Sequence, residues 1–107
     1  MQINDFRKFI QAENKRLKKR YSLKDDEKRI LAKMVKLTEE VGELADEVLA
    51  FSSLQRKEKL DKHNKENLAH EFADVIICTF LLAESMGVDI EDGLKKKMKK
   101  IEKRYEN

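Results

Sequence analysis

Apolar residues recur along this chain at steps of three and four, the spacing that places side chains on one face of an α-helix. The clearest run predicts a long helix with a heptad-type seam for packing on another helix. Its members are Ile30, Met34, Leu37, Val41, Leu44, Val48 and Phe51. An earlier run predicts a helix over residues 3–19, whose apolar side carries Ile3, Phe6, Phe9, Ile10 and Leu17.

Two further helices are predicted in the second half of the chain. Residues 65–86 form the third, and residues 75–83 within it are apolar all round apart from Thr79. That pattern is typical of the most buried helix of a domain. Gly87 is suited to end this helix, and Asp89 is expected to cap a fourth. The apolar stripe of the fourth helix is Ile90, Leu94, Met98, Ile101 and Tyr105.

The segments between these helices are polar. Ser22, Asp25 and Asp26 are candidate N-caps for the second helix. Residues 52–66 are charged with little apolar pattern, which predicts a loop or a frayed helix end. No repeat, low-complexity tract or second domain is visible, so residues 1–107 are predicted to form a single all-α domain.

Composition supports the helical prediction. Charged residues make up 42% of the 107 residues, and the chain has three glycines and no proline. A mixture of Lys, Glu, Leu and Ala without helix breakers favours helices. The core of so short and charged a chain is small, so we predict a four-helix bundle completed by homo-oligomerisation.

The chain shows no feature of a secreted or membrane protein. Cys78 is the only cysteine, which rules out an intrachain disulfide and favours a cytoplasmic location. The N-terminus lacks the apolar region of a signal peptide. The longest apolar run is far shorter than the ~20 residues of a membrane span, so we expect a soluble protein without a membrane partner.

Two short acidic phrases carry the candidate chemistry: Glu39-Glu40-Val41-Gly42-Glu43 and Glu71-Phe72-Ala73-Asp74. Carboxylates three apart on a helix lie on one side, with Cβ atoms about 5–6 Å apart. Two such pairs facing each other would gather four negative charges. Like charges ~5 Å apart repel by roughly 3 kcal/mol at an effective dielectric near 20. A cation would offset this repulsion, so the phrases predict a metal site whose ligands are Glu40, Glu43, Glu71 and Asp74.

An oxygen-only ligand set selects a hard cation, Mg²⁺ or Mn²⁺, over zinc or copper. Such an ion usually keeps positions for water and substrate phosphates, which indicates phosphate-ester or phosphoanhydride chemistry. Glu39 is the next acid along and is predicted to orient or deprotonate the water, or to bind a second metal. The plain alternative is an acid-rich, solvated helix face.

The two segments that contain these phrases resemble sequence motifs of a known protein family. They are Lys36-Leu37-Thr38-Glu39-Glu40-Val41-Gly42-Glu43-Leu44-Ala45-Asp46-Glu47 and Glu71-Phe72-Ala73-Asp74-Val75-Ile76. Over about residues 27–105, the chain resembles the MazG-type nucleotide pyrophosphohydrolases. The resemblance implies an all-α oligomer, a homodimer or homotetramer, that uses Mg²⁺ to hydrolyse nucleoside triphosphates to monophosphate and pyrophosphate. It implies Glu40, Glu43, Glu71 and Asp74 as metal ligands, with Glu39 as the leading acid of the motif.

The resemblance also bears on substrate contacts. Residues 97–105 are similar to a family ending of the type Lys-Met-x-x-Asn-x-x-Arg-Tyr-Pro, which makes Lys97 and Arg104 candidates for binding substrate phosphates. The chain has Ile101 in place of that Asn and Glu106 in place of that Pro. No motif selects a nucleobase, so ribo- and deoxynucleotides, canonical or damaged, stay open. Phosphoribosyl-ATP pyrophosphohydrolase activity, from the same superfamily, also stays open.

Two basic clusters support an alternative function. They are Lys15, Arg16, Lys18, Lys19 and Arg20, and then Lys95, Lys96, Lys97, Lys99, Lys100, Lys103 and Arg104. A non-enzymatic helical module could bind RNA or a protein partner through them. No nucleic-acid motif or series of stacking aromatics accompanies the clusters, so we interpret them as solvated helix faces and expect no nucleic-acid partner.

Three single residues have modest expected roles. Gly42 lies inside a helix, where glycine costs ~1 kcal/mol relative to alanine, and we interpret it as allowing close helix packing. Cys78 is expected to be a small buried apolar residue rather than a nucleophile. His70 is expected on the helix surface.

Overall fold

The computed structural model describes residues 1–21, 25–52 and 65–106, and this part of the chain consists of four α-helices without a strand. Helix α1 is Ile3–Arg20, α2 is Asp26–Phe51, α3 is Lys65–Ser85 and α4 is Ile90–Lys103. The all-α prediction is confirmed, and all four predicted helices are present. The predicted cap Ser22 and most of the predicted loop over residues 52–66 lie outside the described residues.

The helix ends form where the sequence predicts them. The Asp25 side chain accepts a hydrogen bond from the Glu27 backbone N–H at 2.9 Å, and it is the N-cap of α2. Asp89 caps α4 in the same way, accepting from the Asp92 N–H at 3.0 Å. Gly87 has φ +69°, a left-handed conformation that glycine adopts without a Cβ penalty. This residue therefore turns the chain between α3 and α4.

Helix α3 is central, because it contacts each of the other three helices. Its most extensive packing is against α2. The two run antiparallel: Glu71, early in α3, lies close to Glu43, late in α2, while Glu84 at the other end lies close to Lys33. One groove between α2 and α3 therefore holds charged residues along its length.

Helix α1 closes one end of this arrangement. The Phe6 and Phe80 rings meet edge to face, with centroids 4.7 Å apart. The Asn14 side-chain amide donates a hydrogen bond to the Leu81 carbonyl at 3.2 Å, which fixes α1 on α3. Arg7 and Glu91 form an ion pair that joins α1 to the start of α4.

The apolar core of the described chain is small, as expected, and comprises Ile10, Ala50 and Leu81. The predicted seam of α2 does not face α3 as a whole. Four of its residues are exposed, namely Met34, Val41, Val48 and Phe51. The residues turned inward include Leu37 and Leu44 of the seam, together with Lys33, Glu40 and Glu47 from beside it. The packed face of α2 is thus rotated by less than one residue, from Met34, Val41 and Val48 toward the charged residues that precede them.

Other predicted apolar surfaces are also uncovered. Ile76 is 50% exposed, so α3 is not buried all round as its sequence predicts. The stripe of α4 is exposed at Leu94, Met98, Ile101 and Tyr105. The described helices of one copy leave these positions uncovered. None of the described helices is long and apolar enough to cross a membrane.

Candidate metal centre

The acidic phrase of α2 lies on the side of the helix that faces α3. Glu40 and Glu43 are three apart and Glu47 is four further on, so the three carboxylates follow one face. Glu71 approaches this face from α3. The antiparallel packing of two helices therefore brings together acids that are about 30 residues apart in sequence.

Three of the four predicted ligands converge. Oxygen atoms of Glu40, Glu43 and Glu71 all lie within 4.8 Å of one another. Glu40 is only 6% exposed. One carboxylate oxygen of Glu40 and one of Glu71 are buried and accept no hydrogen bond from the described residues. Buried carboxylate oxygens are costly unless they are paired, so these atoms are oriented as ligands of a cation would be.

Asp74, the fourth predicted ligand, lies at the edge of this group. It is exposed, and its oxygens are not among those within 4.8 Å. Its charge nevertheless raises the pKa of Glu71, so the two carboxylates are close neighbours. Its assignment as a ligand stays a prediction.

Two of the three converging acids, Glu43 and Glu71, open onto a cavity of about 480 Å³. Its lining is Glu39, Gly42, Glu43, Asp46, Glu47 and Glu71. Glu39 thus lies where the sequence predicts a residue that could act on water, although its role is untested. Glu47 was missed, although its spacing of seven from Glu40 placed it on the same face.

The pKa of Glu71 is raised from its ordinary value of 4.5. Removal of the carboxyl from water is the first cause, and the charge of Glu43 is the next. Asp74, Glu40 and Glu47 add to the effect. Both causes disfavour the ionised form, and a divalent cation would oppose both.

Lys36 is a cation beside this group of acids. Its Nζ lies 3.0 Å from Glu40 Oε1 and 3.9 Å from Glu39 Oε2. The hydrogen bond to Glu40 is the main cause that raises the pKa of Lys36. Lys36 therefore stays charged and offsets part of the repulsion among the acids.

Cys78 lies one helical turn after Asp74 on α3 and is half-buried. Burial raises the pKa of its thiol, and the charge of Glu40 raises it further. A protonated thiol is a poor nucleophile and a poor metal ligand. This agrees with the expectation that Cys78 serves as a small apolar residue.

The donor set fits a hard divalent cation. It consists of carboxylate oxygens from two helices, and two of these oxygens are buried without a hydrogen bond from the described residues. Oxygen ligands in this number suit Mg²⁺ or Mn²⁺ and leave coordination positions for water and phosphate. Imidazole is absent from the converging group, and His70 is exposed as expected.

The structure also bears on the predictions made for Gly42 and for Lys97 and Arg104. A Cβ at Gly42 would meet nothing within 4 Å, so the interpretation that Gly42 allows close helix packing is wrong for the described chain. Lys97 and Arg104 are exposed and are not among the residues that line the acidic cavity. Their role in substrate binding stays a prediction.

Comparisons with known proteins agree with the geometry. Residues 28–107 match the model of the MazG nucleotide pyrophosphohydrolase domain. The chain is also 37% identical over 75 residues to uncharacterized protein YvdC of Bacillus subtilis (strain 168), an alignment that covers 66% of this chain and 71% of that protein. No solved structure shows significant similarity. Because the matched region contains both acidic phrases and three of the four helices almost entirely, the chain belongs to the MazG nucleotide pyrophosphohydrolase domain family.

Proposed function

We propose that this chain is a Mg²⁺-dependent nucleoside triphosphate pyrophosphohydrolase that converts a ribo- or deoxynucleoside triphosphate to the monophosphate and pyrophosphate. The observation that carries the proposal is the convergence of Glu40, Glu43 and Glu71 within 4.8 Å. Family membership supports the reaction type. Mn²⁺ is the natural substitute for Mg²⁺ in such a site.

The proposed roles follow from position. Glu40, Glu43 and Glu71, joined by Asp74, would hold the divalent ion. When bound, the ion would neutralise phosphate charge and lower the pKa of a water molecule. Glu39 lines the same cavity and is exposed, so its carboxylate can accept a proton from that water or orient it.

Incubation with Mg²⁺ and a panel of nucleoside triphosphates tests the proposal. We expect equal amounts of monophosphate and pyrophosphate, and no release of orthophosphate in the absence of a pyrophosphatase. Chelation of the metal should abolish turnover. Failure to hydrolyse any triphosphate, together with salt-sensitive RNA binding, would favour the helical binding module instead.

We also propose that the protein is a homo-oligomer, a homodimer or homotetramer, because large apolar side chains on all four helices are left uncovered by the described residues of one copy. Ile76 projects from α3 and is half-exposed. Burial of an isoleucine side chain contributes about 1.5–3 kcal/mol, and a symmetric interface uses each such residue twice.

Sedimentation equilibrium should therefore give a mass about two or four times that of the single 12.6 kDa chain. Ile76→Lys should shift the equilibrium toward the single chain, because a charge at this position would be buried without a partner. Lys28→Gln, which removes a charge from the exposed surface of α2, should leave the mass unchanged. A wild-type mass of 12.6 kDa at high protein concentration would contradict the proposal.

A further inference from the structure

Six charged residues form a single stripe along α2, which we call the charge stripe: Arg29, Lys33, Lys36, Glu40, Glu43 and Glu47. They follow one another at alternating steps of four and three. At 3.6 residues per turn, all six lie within an arc of about 80°. The first three are cations and the last three are acids. The acidic half belongs to the candidate metal centre and Lys36 contacts it, whereas Arg29 and Lys33 lie farther along α2 from the acids.

Two of the three cations, Arg29 and Lys33, are partly covered by other helices. Arg29, Lys33 and the end of α3 border a cavity of about 300 Å³, to which α1 contributes Lys15 and Lys18. The Arg29 side chain is only 15% exposed, and Lys33 is half-buried. The Arg29 and Lys33 side chains are therefore partly covered by other residues. Lysines on a solvated helix face, by contrast, extend into water.

A second, larger cavity of about 670 Å³ lies beside the first and extends toward the acids. It shares Lys18, Arg29 and Lys33 with the first cavity and also reaches Lys36. Leu17, Tyr21 and Ala32 give this cavity an apolar side. Lys36 borders this second cavity and also forms an ion pair with Glu40, so it links the cationic residues to the candidate metal centre.

Positive charge is in excess in the first cavity. Its lining contains four cations and two acids, Asp26 and Glu84. Asp26 already forms an ion pair with Arg29. Burial lowers the pKa of Lys33, and the charge of Arg29 lowers it further, although Glu84 opposes the effect. Like charges four apart on a helix destabilise it, so a bound polyanion would stabilise this part of the protein.

The spacing suits a chain of phosphates. With a rise of 1.5 Å per residue, Lys36 lies about 6 Å and Lys33 about 10 Å along the helix axis from Glu40. Such distances are comparable with the length of a short polyphosphate. A substrate with one phosphate at the metal centre could therefore place its other phosphates beside these cations.

We propose that Lys33, together with Arg29 and Lys36, binds the phosphate groups of the substrate that extend away from the metal centre toward the N-terminal end of α2. This inference rests on the proposed triphosphate hydrolysis, and it adds a group of phosphate-binding cations to the site of that reaction. Lys33 is the residue to test, because Arg29 has an acidic partner and Lys36 contacts the metal centre directly. The ligand chemistry is a linear chain of phosphates, carried by a nucleotide or present as inorganic tripolyphosphate.

Steady-state hydrolysis by Lys33→Gln, Lys33→Arg and Lys28→Gln tests the proposal. A charge-assisted hydrogen bond contributes about 1.5–3 kcal/mol, so Lys33→Gln should raise KM for the triphosphate roughly 10- to 100-fold, with a much smaller change in kcat. Lys33→Arg should restore most of the affinity. Lys28→Gln is the matched control: it removes one charge from the same helix, at an exposed position outside both cavities, and should behave as wild type.

Direct binding separates this proposal from the proposed hydrolysis. Calorimetry with Mn²⁺ alone should give the same affinity for wild type and Lys33→Gln, whereas inorganic tripolyphosphate should bind the variant at least roughly 10-fold more weakly. If the enzyme hydrolyses triphosphates but Lys33→Gln has a wild-type KM, the cationic half is not part of the site. If no triphosphate is hydrolysed, tripolyphosphate binding still decides: weaker binding by the variant supports the phosphate site, and unchanged binding overturns it.

A nucleic-acid role for the same cations would give a different result. Lys33→Gln would then weaken salt-dependent binding of single-stranded RNA while leaving KM and tripolyphosphate affinity unchanged. That outcome would also overturn the proposal.

Discussion

Replacement of Glu71 by glutamine is expected to lower kcat for triphosphate hydrolysis by more than about 100-fold. Substitutions of residues that only support a metal ligand cost about 10- to 100-fold in activity or affinity, and Glu71 is proposed to be a ligand itself. The amide keeps the size of the side chain but loses the negative charge. Among Glu40, Glu43 and Glu71, only Glu71 comes from α3, so this variant removes the α3 carboxylate that converges with the two acids of α2.

Glu66→Gln is the matched control for this experiment. Glu66 lies in the first turn of the same helix and is exposed, so the change removes one carboxylate from α3 without touching the cavity. Its kcat should stay close to wild type. Both variants should keep the helical circular dichroism spectrum. If Glu71→Gln retained activity within a few-fold of wild type, the metal centre would have to be elsewhere.

Mg²⁺ is expected to stabilise the protein, and Glu71→Gln is expected to lose this effect. A ligand that binds only the folded state at 100 times its Kd adds about 2.7 kcal/mol to the free energy of unfolding. For a domain of this size, each kcal/mol shifts Tm by roughly 4–8 °C. Thermal unfolding of both proteins, with Mg²⁺ or with a chelator, measures the difference. Without metal, Glu71→Gln should unfold at a higher temperature than wild type, because one of the repelling charges is gone.

The stabilisation of the protein by Mg²⁺ should increase with pH. The pKa of Glu71 is raised in the folded protein, so the folded state holds its proton more tightly than the unfolded state. The stabilisation of the metal-free protein from this group is complete below the ordinary value of 4.5, and it is lost as pH rises through the raised pKa. Mg²⁺ requires the ionised carboxylate, so the gain in Tm from Mg²⁺ should increase with pH over this range.

In Glu71→Gln this pH-dependent component should be absent, and in Glu66→Gln it should persist. A metal-induced gain in Tm that is equal in wild type and Glu71→Gln, at every pH, would contradict the assignment of Glu71 as a ligand.

The helices and their ends could be predicted from sequence because they depend on local interactions. Asp25 and Asp89 cap helices through bonds to residues two or three positions away, and Gly87 supplies a conformation that its own lack of a Cβ permits. The convergence of Glu40, Glu43 and Glu71 could also be anticipated. Carboxylates at the edges of two apolar faces are brought close together when those faces pack against each other.

The rotation of α2 could not be predicted in the same way. The periodic run of Met34, Val41 and Val48 predicts the face that packs against a helix, but it does not say whether that helix belongs to the same chain. In the described part of one copy, Lys33, Glu40 and Glu47 instead lie close to acids of α3. The proposed role of Lys33 and Arg29 could not be predicted for a related reason: neither residue belongs to a basic cluster in the sequence, and both come to lie beside α1 and α3 only when the helices pack.

The order of charges on α2 has a consequence for how this helix is held together. The partial charge of a helix is positive at its N-terminus and negative at its C-terminus, and the charge stripe places cations early and acids late. The last turn of α2 contains no basic residue. Asp26 and Glu27 in the first turn offset the early cations, but nothing comparable is found in the last turn. The C-terminal half of α2 is therefore the part whose backbone amides should exchange with deuterium fastest, and an ion between α2 and α3 would slow that exchange.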